Sequence, residues 1–357
     1  MKLLHLSQTF TVRKSSSTSF RPTFLLGLVI LVAFSCDFDY ESTPPEFIDL
    51  QGEATFPEGI ITRANGDIFV TGFGDGSIQR IVNGNEVSYF SAPGENLTIG
   101  VGLAIDESRD RLWVSNFNFD LGGGVPGSQL KVFDLNSGEV IASLPEEFIP
   151  GVFFNEVAID DNGRVYISDT FNPQIWTAGE DLSDPTVLVN NELLSNPAPD
   201  QPFDLNGLAI SNDGEVLVAS VMDRLDAGGG RLVRIDLETH EVSAVTLSGE
   251  DAVAAFAGSD GMFFLKDQLF MVNVFSEAGA IITADFNSAY TEAELTIRDA
   301  FQEVYNRPTA SAIREGRLWT VNSQLDHIID DNNGALGTPV DAPFQVVNVD
   351  LYELFKD

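Results

Sequence analysis

The sequence predicts an all-β fold, a six-bladed β-propeller with four antiparallel strands per blade. Three observations predict it. One short phrase recurs six times: EGIITRANGDIFV from Glu58, VGLAIDESRDRLWV from Val101, NEVAIDDNGRVYI from Asn155, NGLAISNDGEVLV from Asn206, DGMFFLKDQLFMV from Asp260 and TASAIREGRLWTV from Thr309. The copies lie 43, 54, 51, 54 and 49 residues apart, the length of one four-stranded blade. Within each copy, short apolar runs rich in Val and Leu are separated by turn residues, as at Asn212-Asp213-Gly214.

Taken in order, residues 1–35 stand apart. They hold Lys2, Arg13, Lys14 and Arg21, no acidic residue, and an apolar run from Thr23 to Phe34. That pattern describes a secretory leader rather than a spanning helix. Cys36 is the only cysteine, so no internal disulfide can form. The segment Val32-Ala33-Phe34-Ser35-Cys36 resembles a bacterial lipobox, in which Cys36 becomes the lipidated first residue of an exported lipoprotein. Periplasmic, outer-membrane or cell-surface placement is then expected, with the membrane met only through that anchor. Residues 36–45, acidic and ending in Pro44-Pro45, read as a tether. Residues 46–357 read as one propeller, because each repeat needs its neighbours to bury its apolar faces.

The fourth unit shows the internal order. Gly207–Ser211 and Glu215–Ser220 flank a turn, Arg231–Leu237 follows a Gly-rich loop, and Glu241–Leu247 forms a weaker outer strand. The second unit repeats this with Gln129–Leu135 and Glu139–Leu144. Glu292–Tyr305 is the one helical candidate. The sixth unit has Ser311–Ile313, Arg317–Val321 and Phe344–Leu351 before the sequence ends. Its fourth strand is expected from Glu46–Glu53, which ties the last blade to the first and removes open sheet edges.

The formal net charge is −35, and −39 without the leader's four basic residues. Such a surface repels nucleic-acid phosphates and anionic headgroups, so nucleic acid is excluded as a partner. A monomer acting on a small-molecule substrate is expected.

The first residue of each phrase lines the channel if the inner strands do. Those residues are Glu58, Val101, Asn155, Asn206, Asp260 and Thr309. Two carboxylates and two amides make a hard, all-oxygen set, suited to Ca²⁺ or another divalent cation rather than to Zn²⁺. Asn206-Gly207 and Asp260-Gly261 taken singly are also ordinary turn pairs. Glu156, next to Asn155, is expected to point away if Asn155 points inward. His240, in DLETHEV, is expected in solvent, and His327, in SQLDHIID, near one channel face.

These motifs together resemble the senescence-marker-protein/gluconolactonase-like, or regucalcin-like, family of six-bladed propellers. The resemblance rests on Pro57-Glu58-Gly59, Asn155-Glu156, Asn206-Gly207-Leu208 and Asp260-Gly261-Met262, and spans about residues 50–350. It implies one divalent metal held by Glu58, Asn155, Asn206 and Asp260, with Asp260 as general base in hydrolysis of a lactone or related ester. Phe153, Thr309 and His327, placed at the ring and at one channel face, are expected to border a substrate pocket. The family's sugar lactonases often carry Arg two residues before the first Asn, where this chain has Phe153. A non-catalytic binding propeller with a structural metal is the alternative reading. No HExxH, GxSxG, Walker A or CxxC motif is present, and Gly122–Gly127 reads as a loop.

Overall fold

The computed structural model describes residues 46–196, 204–223, 228–274, 280–298, 302–328 and 340–355. The leader, Cys36 and the tether at 36–45 lie outside the described residues. The chain divides into Met1–Glu41 and Ser42–Asp357, and every described residue belongs to the second unit. No helix among them is long and apolar enough to cross a membrane.

Six small antiparallel sheets follow one another along that unit, each starting with one copy of the repeated phrase. Their inner strands are Pro57–Thr62, Ile99–Asp106, Phe154–Ile159, Leu205–Ile210, Met262–Leu265 and Pro308–Arg314. The second and sixth units carry strands close to where the turn chemistry places them, as do the first three strands of the fourth. The closing strand comes from the N-terminal side. Glu46–Asp49 pairs with Gln345–Asp350, from Glu46 opposite Asn348 to Asp49 opposite Gln345. Leu50 N donates to Phe344 O at 2.8 Å just beyond that pairing.

The core is distributed over the six seams between blades. Phe69 and Ile78 of blade one pack on Leu103 and Phe133 of blade two, and Trp113 of blade two packs on Phe154 of blade three. Ile175 meets Leu217, Val218 meets Met271, and Phe270 meets Leu318 across the next three seams. Ile68 and Val70 meet Trp319 and Val346, which joins blade one to blade six. Each fully buried side chain of this size contributes on the order of 1.5–3 kcal/mol by leaving water. Because the apolar surface lies between blades, no blade is stable alone.

Two expectations need correction. Glu292–Tyr305 is not a helix: Glu292–Ile297 is the outer strand of blade five, and Gln302–Val304 is a 3-10 turn. Ala293 and Leu295 alternate inward with the two-residue period of a strand, and their burial overrides the helical propensity of Glu and Ala. Glu241–Leu247 is also not one strand. Val242–Ala244 stays on blade four, whereas Thr246–Ser248 pairs in parallel with Glu292–Glu294 of blade five. The crossing hinges on buried Val245 and covers the outer edge of blade five. A short helix, Glu250–Ala255, then leads back toward the channel.

Candidate functional site

Five inner strands carry a β-bulge at the same phase, where two residues oppose one on the second strand. Residues 58 and 59 oppose Thr71, 101 and 102 oppose Ser115, 155 and 156 oppose Ser168, 206 and 207 oppose Ser220, and 309 and 310 oppose Val321. The extra residue has an N–H without a ladder partner. Opposing hydroxyls take it up: Gly59 N donates to Thr71 Oγ1 at 2.9 Å and Glu156 N to Ser168 Oγ at 3.0 Å. In blade five, Asp260 N donates to Val272 O at 3.0 Å and Gly261 N to Thr309 O at 2.7 Å.

The structure sets Glu58 near Asp260 and Glu156, and bonds it to Thr309. Glu58, Val101, Asn155, Asn206, Asp260 and Thr309 are all buried. Glu58 Oε2 and Asn206 Oδ1 are buried with no hydrogen-bond partner. The Asn206 amide instead donates through Nδ2 to the Met222 thioether at 3.7 Å, which leaves its carbonyl oxygen unspent. Thr309 turns its hydroxyl away from such a role and donates to Glu58 O at 2.6 Å.

Glu156 corrects the simple alternation. At the bulge, successive residues no longer alternate, so Glu156 borders the channel cavity, which is lined by residues that follow the ring positions in the inner strands. Glycine occupies the equivalent position as Gly59, Gly102, Gly207 and Gly261. A Cβ on Gly102 would stand 2.4 Å from Asn155 O and 3.0 Å from Glu156 Oε1. One on Gly207 would stand 2.3 Å from Asp260 O. These glycines are therefore demanded by the approach of the next blade, and Gly102 leaves the room that Glu156 fills.

Burial, and then the charges of Asp260 and Glu156, hold the Glu58 carboxyl well above the usual carboxylate range. Burial pushes Glu156 up to about 8, the Val157 N–H opposing the shift and the Asp260 charge adding to it. Three acidic groups thus repel one another in a space that holds no compensating cation side chain from the ring. Among the described residues, no three Asp, Glu, His or Cys side chains by themselves form a group able to cage an ion. A cation would draw on the amides as well. Two orphaned hard oxygens beside mutually repelling carboxylates fit a hard divalent ion with mixed carboxylate and carbonyl ligands.

The channel cavity measures about 470 Å³ and is bordered by Gly59, Leu103, Glu156, Leu208, Met262 and Ser311. At the ring's other side stands an aromatic cluster. Phe153, only 3% exposed, stacks on Phe117 with centroids 4.0 Å apart and planes at 17°. Phe73, Ile99 and Val101 complete the cluster, with Phe56, Phe171, Leu325 and Ile328 packed against it. His327 ends the 3-10 turn that begins at Leu325 and is half-buried, outside the ring. His240 is exposed.

One recurring device escaped the reading by sequence. An Asn or Asp at the end of the second strand accepts the backbone of the segment arriving from the previous blade. Asn116 Oδ1 accepts Thr98 N (2.8 Å), Asp169 Oδ1 accepts Phe153 N (3.1 Å), Asn273 Oδ1 accepts Ala257 N (3.1 Å) and Asn322 Oδ1 accepts Asn306 N (3.0 Å). The signal was there in WVSN, YISD, FMVN and WTVN, each an apolar run closed by a polar residue at one phase.

No protein-family model matches the chain, and no curated protein sequence does. Solved structures do. The Malassezia sympodialis allergen Mala s 1 superposes with a TM-score of 0.62 at 15% identity, over 86% of this chain and 97% of that one. Luciferin-regenerating enzyme gives 0.55 at 13% identity, over 86% and 95%. Regucalcin from Agrobacterium tumefaciens, described as a calcium-binding protein, gives 0.53 at 15% identity, over 84% and 90%. The chain shares the regucalcin fold. At these identities the likeness is one of fold, and the same propeller carries an allergen as well as an enzyme.

Proposed function

We propose that the propeller is a divalent-cation-dependent hydrolase of a lactone or related ester, with Ca²⁺ as the ion that fits best. The carrying observation is the pair of buried, partnerless oxygens, Glu58 Oε2 and Asn206 Oδ1, set among mutually repelling carboxylates. Glu58, Asn155, Asn206 and Asp260 would hold the ion. A divalent cation there supplies electrophilic polarisation of a carbonyl oxygen. The Asp260 carboxylate is the group to take a proton from the attacking water. Glu156, whose carboxyl burial raises to about 8 in the ion-free channel, is the second group able to hold or return one.

The test joins binding to turnover. Calcium added to chelator-treated protein should raise the melting temperature, by an amount that grows with the logarithm of calcium concentration. Asp260→Ala and Asn206→Ala should each reduce that rise, and Asp260→Ala should abolish hydrolysis across a lactone and ester panel. A protein indifferent to chelator and calcium would refute the metal site. The aromatic wall at Phe153, with no cation among its side chains, favours a second reading: a non-catalytic propeller that binds an apolar partner over a structural ion. Calcium-dependent stability without turnover of any lactone or ester would select it.

In the same reading Cys36 carries the lipid, the propeller acts as a monomer outside the cytoplasm, and neither nucleic acid nor bilayer is a direct partner. Incorporation of labelled palmitate into wild type but not Cys36→Ala tests the anchor.

A further inference from the structure

The aromatic cluster beside the ring has a feature that simple packing leaves unexplained: it runs from the channel wall out to solvent. Val101, a ring residue, and Phe153, two residues before Asn155, belong to it. Phe171 stands edge-on to Phe153 at 5.3 Å and to Phe117 at 5.9 Å. Phe119 stands edge-on to Phe117 at 4.8 Å and to Phe73 at 6.0 Å, yet 46% of it is exposed. Leu121 and Val125 of the same loop are 37% and 43% exposed. A contiguous apolar cluster therefore runs from the exposed Phe119 through buried Phe117 and Phe153 to Val101 of the ring. Single exposed apolar residues are ordinary, but a contiguous run ending at a polar site is the usual form of a ligand's apolar subsite.

Asp169, the buried carboxylate beneath Phe153 and Phe171, is already spent. Asp169 accepts Phe153 N and Phe171 N through Oδ1, and Asn172 Nδ2 and Trp176 Nε1 through Oδ2. A hydroxyl pressed against the aromatic rings gives up its hydrogen bonds to water and gains none in return. A polyhydroxylated ligand would incur that loss several times over, whereas an aryl or acyl group would gain from leaving water.

Building on the hydrolase reading, we propose that the substrate is an aryl or acyl lactone or ester whose apolar part packs on Phe119, Phe171 and Leu325 beside the ring. Its reacting carbonyl then reaches the oxygens of Glu58, Asn155, Asn206 and Asp260. A polyhydroxylated sugar lactone fits the aromatic part of that wall less well.

The experiment uses the full chain with calcium, dihydrocoumarin and glucono-δ-lactone as paired substrates, and Nile red as an activity-independent apolar probe. Wild type should hydrolyse dihydrocoumarin with the higher kcat/KM and bind Nile red near the ring. Phe119→Ser, at an exposed position, should keep the calcium-induced rise in melting temperature. It should raise KM for dihydrocoumarin about tenfold, the ratio that about 1.4 kcal/mol produces, and weaken Nile red by a similar factor. Leu121→Ser should act in the same direction. Preference for glucono-δ-lactone, or a Phe119→Ser protein matching wild type in both KM and dye affinity, would overturn the proposal while leaving the hydrolase in place. Nile red binding that depends on Phe119, in a protein that turns over neither lactone, would retain the apolar subsite and reject the hydrolase.

Discussion

The hydroxyl of Thr309 donates a 2.6 Å hydrogen bond to the carbonyl oxygen of Glu58, across the seam where the last blade meets the first. The two residues are 251 positions apart in sequence and adjacent in the ring. Both are buried, so the carbonyl has no water to fall back on. Thr309→Val keeps the shape and removes the donor. Leaving that acceptor unpaired costs about 1–3 kcal/mol. The unfolding free energy should fall by that amount, seen as a lower urea midpoint at an unchanged slope, and calcium affinity should fall with it because Glu58 loses its anchor. Thr309→Ser should recover most of both. A Thr309→Val protein with wild-type midpoint and affinity would show that the seam does not position Glu58.

Gly102 makes a sharper steric case. An added Cβ would meet Asn155 O at 2.4 Å and Glu156 Cα at 2.7 Å, and both obstacles are backbone. Gly102→Ala must push blade two from blade three at the height of the ring. Overpacking of this kind costs about 1–3 kcal/mol. Calcium affinity should drop more than stability alone explains, since Asn155 is the residue displaced. Measuring the calcium midpoint at a temperature where the variant stays folded separates the two effects. Unchanged affinity would mean that Asn155 is not a ligand.

Phe153 is where reading by residue type and reading by structure part. Its position two residues before Asn155 points to substrate contact. The fold buries it against Phe117, Phe171 and Val101, so its first role is packing. Phe153→Ala should cost about 3–5 kcal/mol, the range for truncating a buried phenylalanine. Phe119→Ser, at the exposed end of the same cluster, should cost under about 1 kcal/mol. Denaturant titration of the two variants checks the contrast; equal losses would contradict the gradient from buried wall to exposed shelf.

The blades were legible because each repeats one apolar pattern, and six noisy copies of a signal outweigh the ambiguity of any one. Glu58, Asn155, Asn206 and Asp260 share a phase in the sequence, and the fold buries all four. Glu156 was misplaced because strict two-residue alternation fails at a bulge, and a bulge leaves no mark in one strand's sequence. Comparing blades would have exposed it: Gly59, Gly102, Gly207 and Gly261 are small where Glu156 is not, and only the next blade's backbone explains why. The false helix at Glu292–Tyr305 arose from local propensity, which Ala293 and Leu295 override by packing inward. The split at Val245 depends on where blade five's open edge lies, a fact no local window contains.

The carboxylates set a pH dependence with a definite sign. Stability changes with pH according to the protons bound by the unfolded state less those bound by the folded state. An unfolded glutamate releases its proton near 4.5, whereas folded Glu156 keeps it to about 8. Between those values the folded state holds the extra proton, so without divalent ions stability should fall as pH rises through that window. Glu58 shifts in the same direction, through burial first and then the charges of Asp260 and Glu156. Burial raises Asp169 too, although its hydrogen bonds oppose the shift. Calcium reverses the preference, because it binds the ionised carboxylates and releases their protons. Its stabilisation should therefore grow over the same window in which the ion-free protein weakens. Denaturant titrations at about pH 5, 6.5 and 8, each with chelator and with calcium, read both trends. Glu156→Gln should flatten the chelator series, leaving the residual slope due to Glu58 and Asp169. A chelator series that strengthens from about pH 5 to 8 would mean that the channel already holds these charges comfortably, and the case for a cation there would be lost.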